Sequence, residues 1–257
     1  MKNLEKHLIN KGYYKFKLQQ KYFNTIHLEL SKIISKEIGT EITNLNSVHK
    51  YIKKEKLNSI RLKIFRFINK NKFLKEVIYL SSKNEIEESI GNENCSSDIN
   101  FSIQLPKDES STLDMHTDFF SGESLFQINL WMPFENTKKT SSMFIINPKK
   151  SLEILKKIKS GSANDFNIIK KKYKKFMKWI DFKKGEAMIF SPNCLHGNVM
   201  NQETNTRLSI NIRYKNLYSP YGNLDNEKKI GLFYKPFQIK AVSKFNLKYD
   251  FDEIIKK

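Results

Sequence analysis

The sequence predicts an α+β fold on three observations. Apolar residues recur at helical spacing up to about residue 95, short alternating runs rich in Ile, Phe and Leu take over from residue 98, and the longest of those runs carries its polar residues on one face. At 257 residues, with 39% hydrophobic and 12% aromatic side chains, the chain can bury one sizeable core and is not a disordered chain. The expected organisation is a single domain over 1–257. Residues 1–95 form mainly helical support, 98–217 a β core with a helical insertion at 149–180, and 218–257 a C-terminal extension.

In chain order, "YYKFKL" alternates enough for a short strand at 13–18. "KYFNTIHLELSKIISKEI" then sets Phe23, Ile26, Leu30, Ile33 and Ile34 on one helical face, and "LNSIRLKIFRFINK" repeats this with Leu57, Ile60, Ile64 and Phe67. Both helices need a surface to cover. It is supplied by "INFSIQL", "SLFQINLWMPF", "SMFIIN", "EAMIFSP" and "RLSINIRYKNL", β-type runs separated by Gly, Pro, Ser and Asn. These are expected to form an antiparallel barrel or two-sheet sandwich with the helices packed outside.

The formal charge of +19 raises nucleic acid as a partner. The lysines are scattered through every region, however, and only "KKIKS", "IIKKKYKKFMKW" and the tail "IIKK" are dense, so they read as solvated helix faces and nucleic acid is not the expected partner. Two cysteines cannot make a disulfide framework. The first residues lack a signal-peptide core, and no run approaches the ~18 apolar residues of a membrane span. A cytoplasmic protein with no membrane partner is the expectation.

Strand alternation locates the site. In "RLSINIRY", Arg207, Ser209, Asn211 and Arg213 share one face and Leu208, Ile210 and Ile212 the other. In "LFQINLWM", Gln127, Asn129 and Trp131 oppose Phe126, Ile128, Leu130 and Met132. Apolar faces under helices and polar faces inward describe a lumen that holds something polar. "LDMHTDFFSG" places His116 and Asp118 two apart at a strand end, where both can reach one ion. A first-row metal such as Fe(II) takes two imidazoles and one carboxylate and keeps positions open for a chelating cosubstrate and O2. The second imidazole is supplied by "SPNCLHGNVMN", with His196 lying 78 residues beyond Asp118. Eleven residues later Arg207, with Ser209 on the same face, offers the fork and hydroxyl that the distal carboxylate of 2-oxoglutarate requires. Asn129, Trp131 and Gln104 face inward by parity, where each either touches cosubstrate or substrate or simply fills the lumen. Arg213 pairs either with a substrate acid or, the reading preferred, with an internal carboxylate. Cys194 is expected to be a buried inert thiol. His7, His27 and His49, in the helical part, are expected at the surface or in helix packing.

With these residues the chain resembles the iron(II)/2-oxoglutarate-dependent dioxygenases that have a double-stranded β-helix, the jelly-roll or cupin-like barrel, and especially their phytanoyl-CoA-dioxygenase-like branch. Within it, "LDMHTDFFSGESLFQINLWMPF", "TSSMFIIN", "KKGEAMIFSPNCLHGNVMNQETNTRLSINIRYKNLYSPYG" and "KKIGLFYKPF" are similar to oxygenases of sporadic bacterial carbohydrate clusters, a resemblance covering about residues 98 to 240. It implies His116, Asp118 and His196 as iron ligands and Arg207 on the C5 carboxylate of 2-oxoglutarate with help from Ser209. The chain departs from the pattern after the middle strand, where many relatives carry Gly-Ser-His and this sequence reads "INPKKS". The expected activity is hydroxylation of a small polar substrate such as a sugar, nucleotide-linked sugar or glycan precursor. Two other readings stand beside it. One is a nucleic-acid dealkylating dioxygenase, suggested by the Arg-x5-Arg spacing of "RLSINIR", and the other is a non-catalytic sugar-binding jelly-roll module.

Overall fold

The computed structural model describes residues 3–159, 171–221 and 228–249. Part of the basic segment "IIKKKYKKFMKW", part of the expected insertion, Gly222 of "SPYG" and the extreme C-terminus lie outside the described residues.

The N-terminal part is helical, as its periodicity predicts, except that the helix in "LNSIRLKIFRFINK" buries Ile68 rather than the expected Phe67, which is left 43% exposed. Helix α1 (Asn3–Lys11) leads into strand β1 (Tyr13–Lys17), followed by α2 (Gln20–Ile38), α3 (Lys54–Lys70), α4 (Lys72–Ser81) and α5 (Lys83–Ile90). Helix α2 buries Phe23, Ile26, Leu30, Ile33 and Ile34. It stops at Gly39, which adopts φ 77° and returns its N–H to the Ser35 carbonyl, a left-handed cap that costs glycine nothing. Asn71 starts α4 by accepting the Leu74 N–H on its side chain, satisfying one orphan donor of the first turn.

Among the described residues ten strands form two antiparallel sheets. The larger has the order β1-β7 (Glu186–Phe190)-β4 (Gln127–Pro133)-β9 (Arg207–Asn216)-β2 (Asn94–Ser96)-β10 (Lys235–Gln238), with β3 (Asn100–Gln104) beside the first half of β9. The smaller has the order β6 (Lys178–Trp179)-β5 (Phe144–Ile145)-β8 (His196–Gly197). Helix α6 (Pro148–Lys159) follows β5, and α7 (Ala241–Tyr249) follows β10. Among the described residues no strand ladder joins the two sheets edge to edge. Within the stretch expected to be a helical insertion, residues 178–179 are the strand β6, drawn into the small sheet by pairing with β5.

Strand parity holds on β4 and β9. Ile128, Leu130, Met132, Leu208, Ile210 and Ile212 are buried in one cluster with the inner faces of α2, α3 and α4. Each of these large side chains contributes roughly 1.5–3 kcal/mol when taken from water. Phe126 is the exception: the strand begins only at Gln127, and Phe126 is left half exposed. The opposite face divides in two. On the β7 side, Met188, Phe190, Trp131, Ile145 and Phe182 fill the space between the sheets. On the β3 and β9 side the inward residues are polar, and there a cavity of about 310 Å³ opens.

Candidate metal and cosubstrate site

The site forms where the chain before β4 runs back along β8. His116 and His196 exchange backbone hydrogen bonds of 3.0 and 2.9 Å, and Asn198 N donates to Leu113 O at 2.9 Å while Leu113 N donates to the Asn198 side chain at 2.6 Å. The approach depends on Gly197. A Cβ there would stand 2.7 Å from the Leu113 carbonyl oxygen and 2.9 Å from that of Asp114. Glycine therefore lets the two histidines sit side by side, with ring centroids 4.3 Å apart.

Each imidazole is oriented through its Nδ1, His116 onto Asp114 O at 2.7 Å and His196 onto Cys194 O at 2.9 Å. A carbonyl can only accept, so each Nδ1 carries the proton and each Nε2 presents its lone pair. Both Nε2 atoms face Asp118 Oδ1, at 3.5 and 3.8 Å. One ligand atom from each of His116, Asp118 and His196 can be chosen so that all lie within 4.8 Å of one another, a set that could hold a metal ion. Burial pushes the His196 imidazole down to about 4, against the pull of Asp118, so it stays neutral near pH 7, the form that ligates metal. At Asp118 burial would raise the carboxyl, but His196, His116 and Arg213 outweigh it and hold the group well below the usual carboxylate range. A permanently ionised carboxylate and imidazole lone pairs converging on one point fit a divalent first-row metal.

Asp118 is held from two sides. Its Oδ2 accepts from the Asn129 amide, and its Oδ1 faces Arg213 Nη2 at 3.4 Å. Asn129 is in turn fixed by Gln127 Nε2 at 2.9 Å, and Gln127 accepts from the Tyr234 hydroxyl. Arg213 Nε donates to Glu123 at 2.9 Å, and that buried carboxylate also receives Gln127 Nε2 at 2.8 Å and Lys228 at 3.0 Å. The arrangement fixes the position of the Asp118 carboxylate beside the two imidazoles.

Arg207 lies in the cavity wall under different conditions. It is buried, its Nη2 donates to Ser102 Oγ at 3.2 Å, its guanidinium lies 5.8 Å from the Trp131 ring centre, and its Nε has no partner. Among the described residues no carboxylate reaches it. Burial pushes it down to about 10, which leaves it a cation near neutral pH. A desolvated guanidinium with a free donor edge, facing the same cavity as the triad, fits the distal carboxylate of a cosubstrate such as 2-oxoglutarate.

The structure brings together His116, Asp118, His196, Arg207, Ser209 and Trp131 on one cavity. Gln104, opposite Arg207 in the ladder, donates to Val199 O at 2.6 Å, and Asn129 is spent on Asp118, so neither side chain lines the cavity. Arg213 pairs with internal carboxylates. Cys194 is buried beside Gly12, away from the cavity. His27 bonds Glu135 at 2.7 Å and His49 bonds Thr206 at 2.8 Å, both in packing roles. Sequence reasoning missed Glu123, Tyr234, Asn198 and Arg61. Only the "HG" and "GN" steps after Leu195 signalled the close pairing near Asn198.

No family model matches the chain, and no curated protein matches its sequence. Solved structures do. A non-heme monooxygenase, ThoJ, in complex with nickel matches 99% of this chain and 96% of its own at 13% identity, with a TM-score of 0.51. The non-heme α-ketoglutarate-dependent carbocyclase SnoK from nogalamycin biosynthesis matches 91% and 95% at 12% identity and 0.52. EctD from S. alaskensis, solved with 2-oxoglutarate and 5-hydroxyectoine, matches 93% and 87% at 10% identity and 0.54. Among the described residues no helix is long and apolar enough to cross a membrane. The chain thus has the fold of these non-heme oxygenases.

Proposed function

We propose that the protein is an Fe(II)- and 2-oxoglutarate-dependent oxygenase acting on a small polar molecule, its core a double-stranded β-helix. The observation that carries this reading is the coexistence, on one cavity, of a two-histidine, one-carboxylate set and a buried arginine without a protein carboxylate. A sugar-binding module has use for neither. The Arg-x5-Arg spacing behind a dealkylase reading spends its second arginine on Glu123 and Asp118.

His116 Nε2, Asp118 Oδ1 and His196 Nε2 would hold the iron, and the bound iron would supply the activation of O2 coupled to decarboxylation of the 2-oxo acid. The rest is positioning. Arg207, aimed by Ser102 and backed by Trp131, receives the C5 carboxylate, with Ser209 beside it on the same strand face. Asn129 and Arg213 keep Asp118 ionised and oriented. The apolar packing of Phe190 against His196, with ring centres 4.9 Å apart, closes the inner side of the site to water. Substrate enters from the open side, past Asn100, Asn198 and Asn211. The buried side-chain oxygen of Asn211, which has no protein partner, suits a hydroxyl group, which favours a sugar, nucleotide-linked sugar or glycan precursor over an acyl chain, since an acyl chain would leave it unpaired at ~1–3 kcal/mol.

Anaerobic titration of the purified protein with Fe(II) and then 2-oxoglutarate is expected to develop a visible charge-transfer band, followed in air by succinate release. His116→Ala, Asp118→Ala and His196→Ala should each abolish the band. A variant that keeps it removes that residue from the triad, and a wild type without it overturns the reading.

A further inference from the structure

Three arginines face the cavity, and their partners differ. Arg213 is neutralised by Asp118 and Glu123. Arg207, on the reading above, awaits the distal carboxylate of the cosubstrate. Arg61 has no such assignment. It reaches from α3 toward β3, where its Nη2 donates to the Ile103 carbonyl at 3.2 Å and to Ser111 Oγ at 2.7 Å, while Ser111 Oγ donates to the same carbonyl at 2.5 Å. These contacts fix the direction of the guanidinium and use only one of its nitrogens. Its Nε is buried without a partner. The acid that acts on it from nearby, Asp108, is engaged by Ser110 at 2.5 Å and stands 4.0 Å from Lys54.

2-Oxoglutarate brings two carboxylates, one for the metal and one for Arg207, and neither is left for Arg61. We propose that Arg61 docks an anionic group of the substrate itself, a carboxylate or a phosphate, at the outer wall of the cavity. The inference rests on the oxygenase reading and narrows its substrate to small acidic molecules. A guanidinium held through Nη2 by Ser111 and the Ile103 carbonyl, with its Nε stripped of water and unpartnered, is preorganised to offer its remaining donors to an oxyanion. Asn211 supports the assignment, because its side-chain oxygen is also buried without a partner on the same cavity and can accept from a substrate hydroxyl. A cavity of about 310 Å³ that must also take the cosubstrate leaves room for a compact acid or for the charged end of a longer one.

The test uses the full chain loaded with Ni(II) and saturating 2-oxoglutarate, so that Arg207 is occupied, titrated calorimetrically with inorganic phosphate and, separately, with acetate. Wild type is expected to bind at least one of them. Arg61→Gln should weaken that binding about tenfold or more, and Arg61→Lys should restore part of it, as loss of a charge-assisted bond implies. Affinity for 2-oxoglutarate should stay within about twofold in both variants, and thermal melting checks that they fold. Preference for phosphate points to a phosphorylated substrate, and preference for acetate to a carboxylic acid. Equal anion affinity in wild type and Arg61→Gln, or no anion binding by wild type, overturns the proposal. So does an Arg61→Gln variant whose 2-oxoglutarate affinity falls with its anion affinity, which would make Arg61 part of the cosubstrate anchor. A wild type that binds neither Ni(II) nor 2-oxoglutarate instead refutes the oxygenase reading and this inference with it.

Discussion

Replacing Arg207 with lysine keeps the charge and removes the fork. In the wild type the guanidinium rests on Trp131 and Ser102 and leaves Nε and a second donor edge for a carboxylate. An ammonium can make one strong bond where the fork makes two. Losing one charge-assisted hydrogen bond, ~1.5–3 kcal/mol, weakens 2-oxoglutarate binding roughly ten- to a hundredfold. The loss is readable as ligand-linked stability. At a cosubstrate concentration a hundred times the wild-type Kd, the metal-loaded wild type should gain about 2.7 kcal/mol, and Arg207→Lys only about 0.4–1.4 kcal/mol at the same concentration. For a chain of this size each kcal/mol moves Tm by about 2–4 °C. Differential scanning fluorimetry with Ni(II) should therefore show a rise of about 5–11 °C in wild type and about 1–6 °C in the variant. Identical shifts would refute the assignment of Arg207 as the carboxylate anchor and move it to another residue of the cavity.

Asn129→Ala removes the amide on Asp118 Oδ2 without touching a metal-binding atom, and should weaken Co(II) binding roughly ten- to a hundredfold by absorption titration; unchanged affinity would mean that Arg213 alone orients the carboxylate. Gly197→Ala would push a methyl group into two backbone carbonyls, so the pairing of 113–116 with 196–198 must open, at about 1–3 kcal/mol in urea unfolding and with loss of metal affinity; a variant with wild-type Co(II) binding would show that this contact yields freely. Burial pushes the thiol of Cys95 up to about 11 and that of Cys194 up to about 12, so neither should react with iodoacetamide at pH 8 until the protein unfolds; rapid labelling of either in the native state would contradict its burial.

What the sequence made legible followed from period and spacing. The period of two on β4 and β9 separated the helix-covered face from the polar face without error between Gln127 and Met132 and between Arg207 and Arg213. It failed at Phe126 because alternation cannot show where a strand begins, and at β6 because two residues carry no period. Parity also pointed Asn129 inward correctly, yet its partner is Asp118, on a short 3-10 turn whose placement depends on backbone pairing with Pro192. Glu123, Tyr234 and Lys228 were out of reach for a related reason. Glu123 meets Arg213, Lys228 meets Glu123 and Tyr234 meets Gln127 across separations of about ninety residues or more, from irregular segments with no pattern of their own. Arg61 was hidden in a helix read only for its apolar stripe.

Arg207 and Arg213 lie six residues apart on one face of β9, and their environments assign them opposite work. Arg213 has two carboxylates, and together with the other charges around it they move it above its ordinary value despite its burial; Arg207 has none, and burial moves it down. A buried cation whose protein partners complete it belongs to the frame of the site. Removing one partner from such a pair leaves an uncompensated charge inside and costs about 3–5 kcal/mol. Arg213→Met should fall near the lower end, because Lys228 and Gln127 remain on Glu123, and should lower Tm by about 6–12 °C. Arg207→Met should not lower Tm in the same way, since methionine forfeits one hydrogen bond and the Trp131 contact but relieves a desolvated charge with an unpaired donor. The metal-loaded Arg207 variant should lose its thermal response to 2-oxoglutarate, whereas Arg213→Met, where it folds, should keep part of it. Should Arg207→Met destabilise the apo-protein as much as Arg213→Met does, the guanidinium of Arg207 is a structural element, and the ligand it awaits has been misassigned.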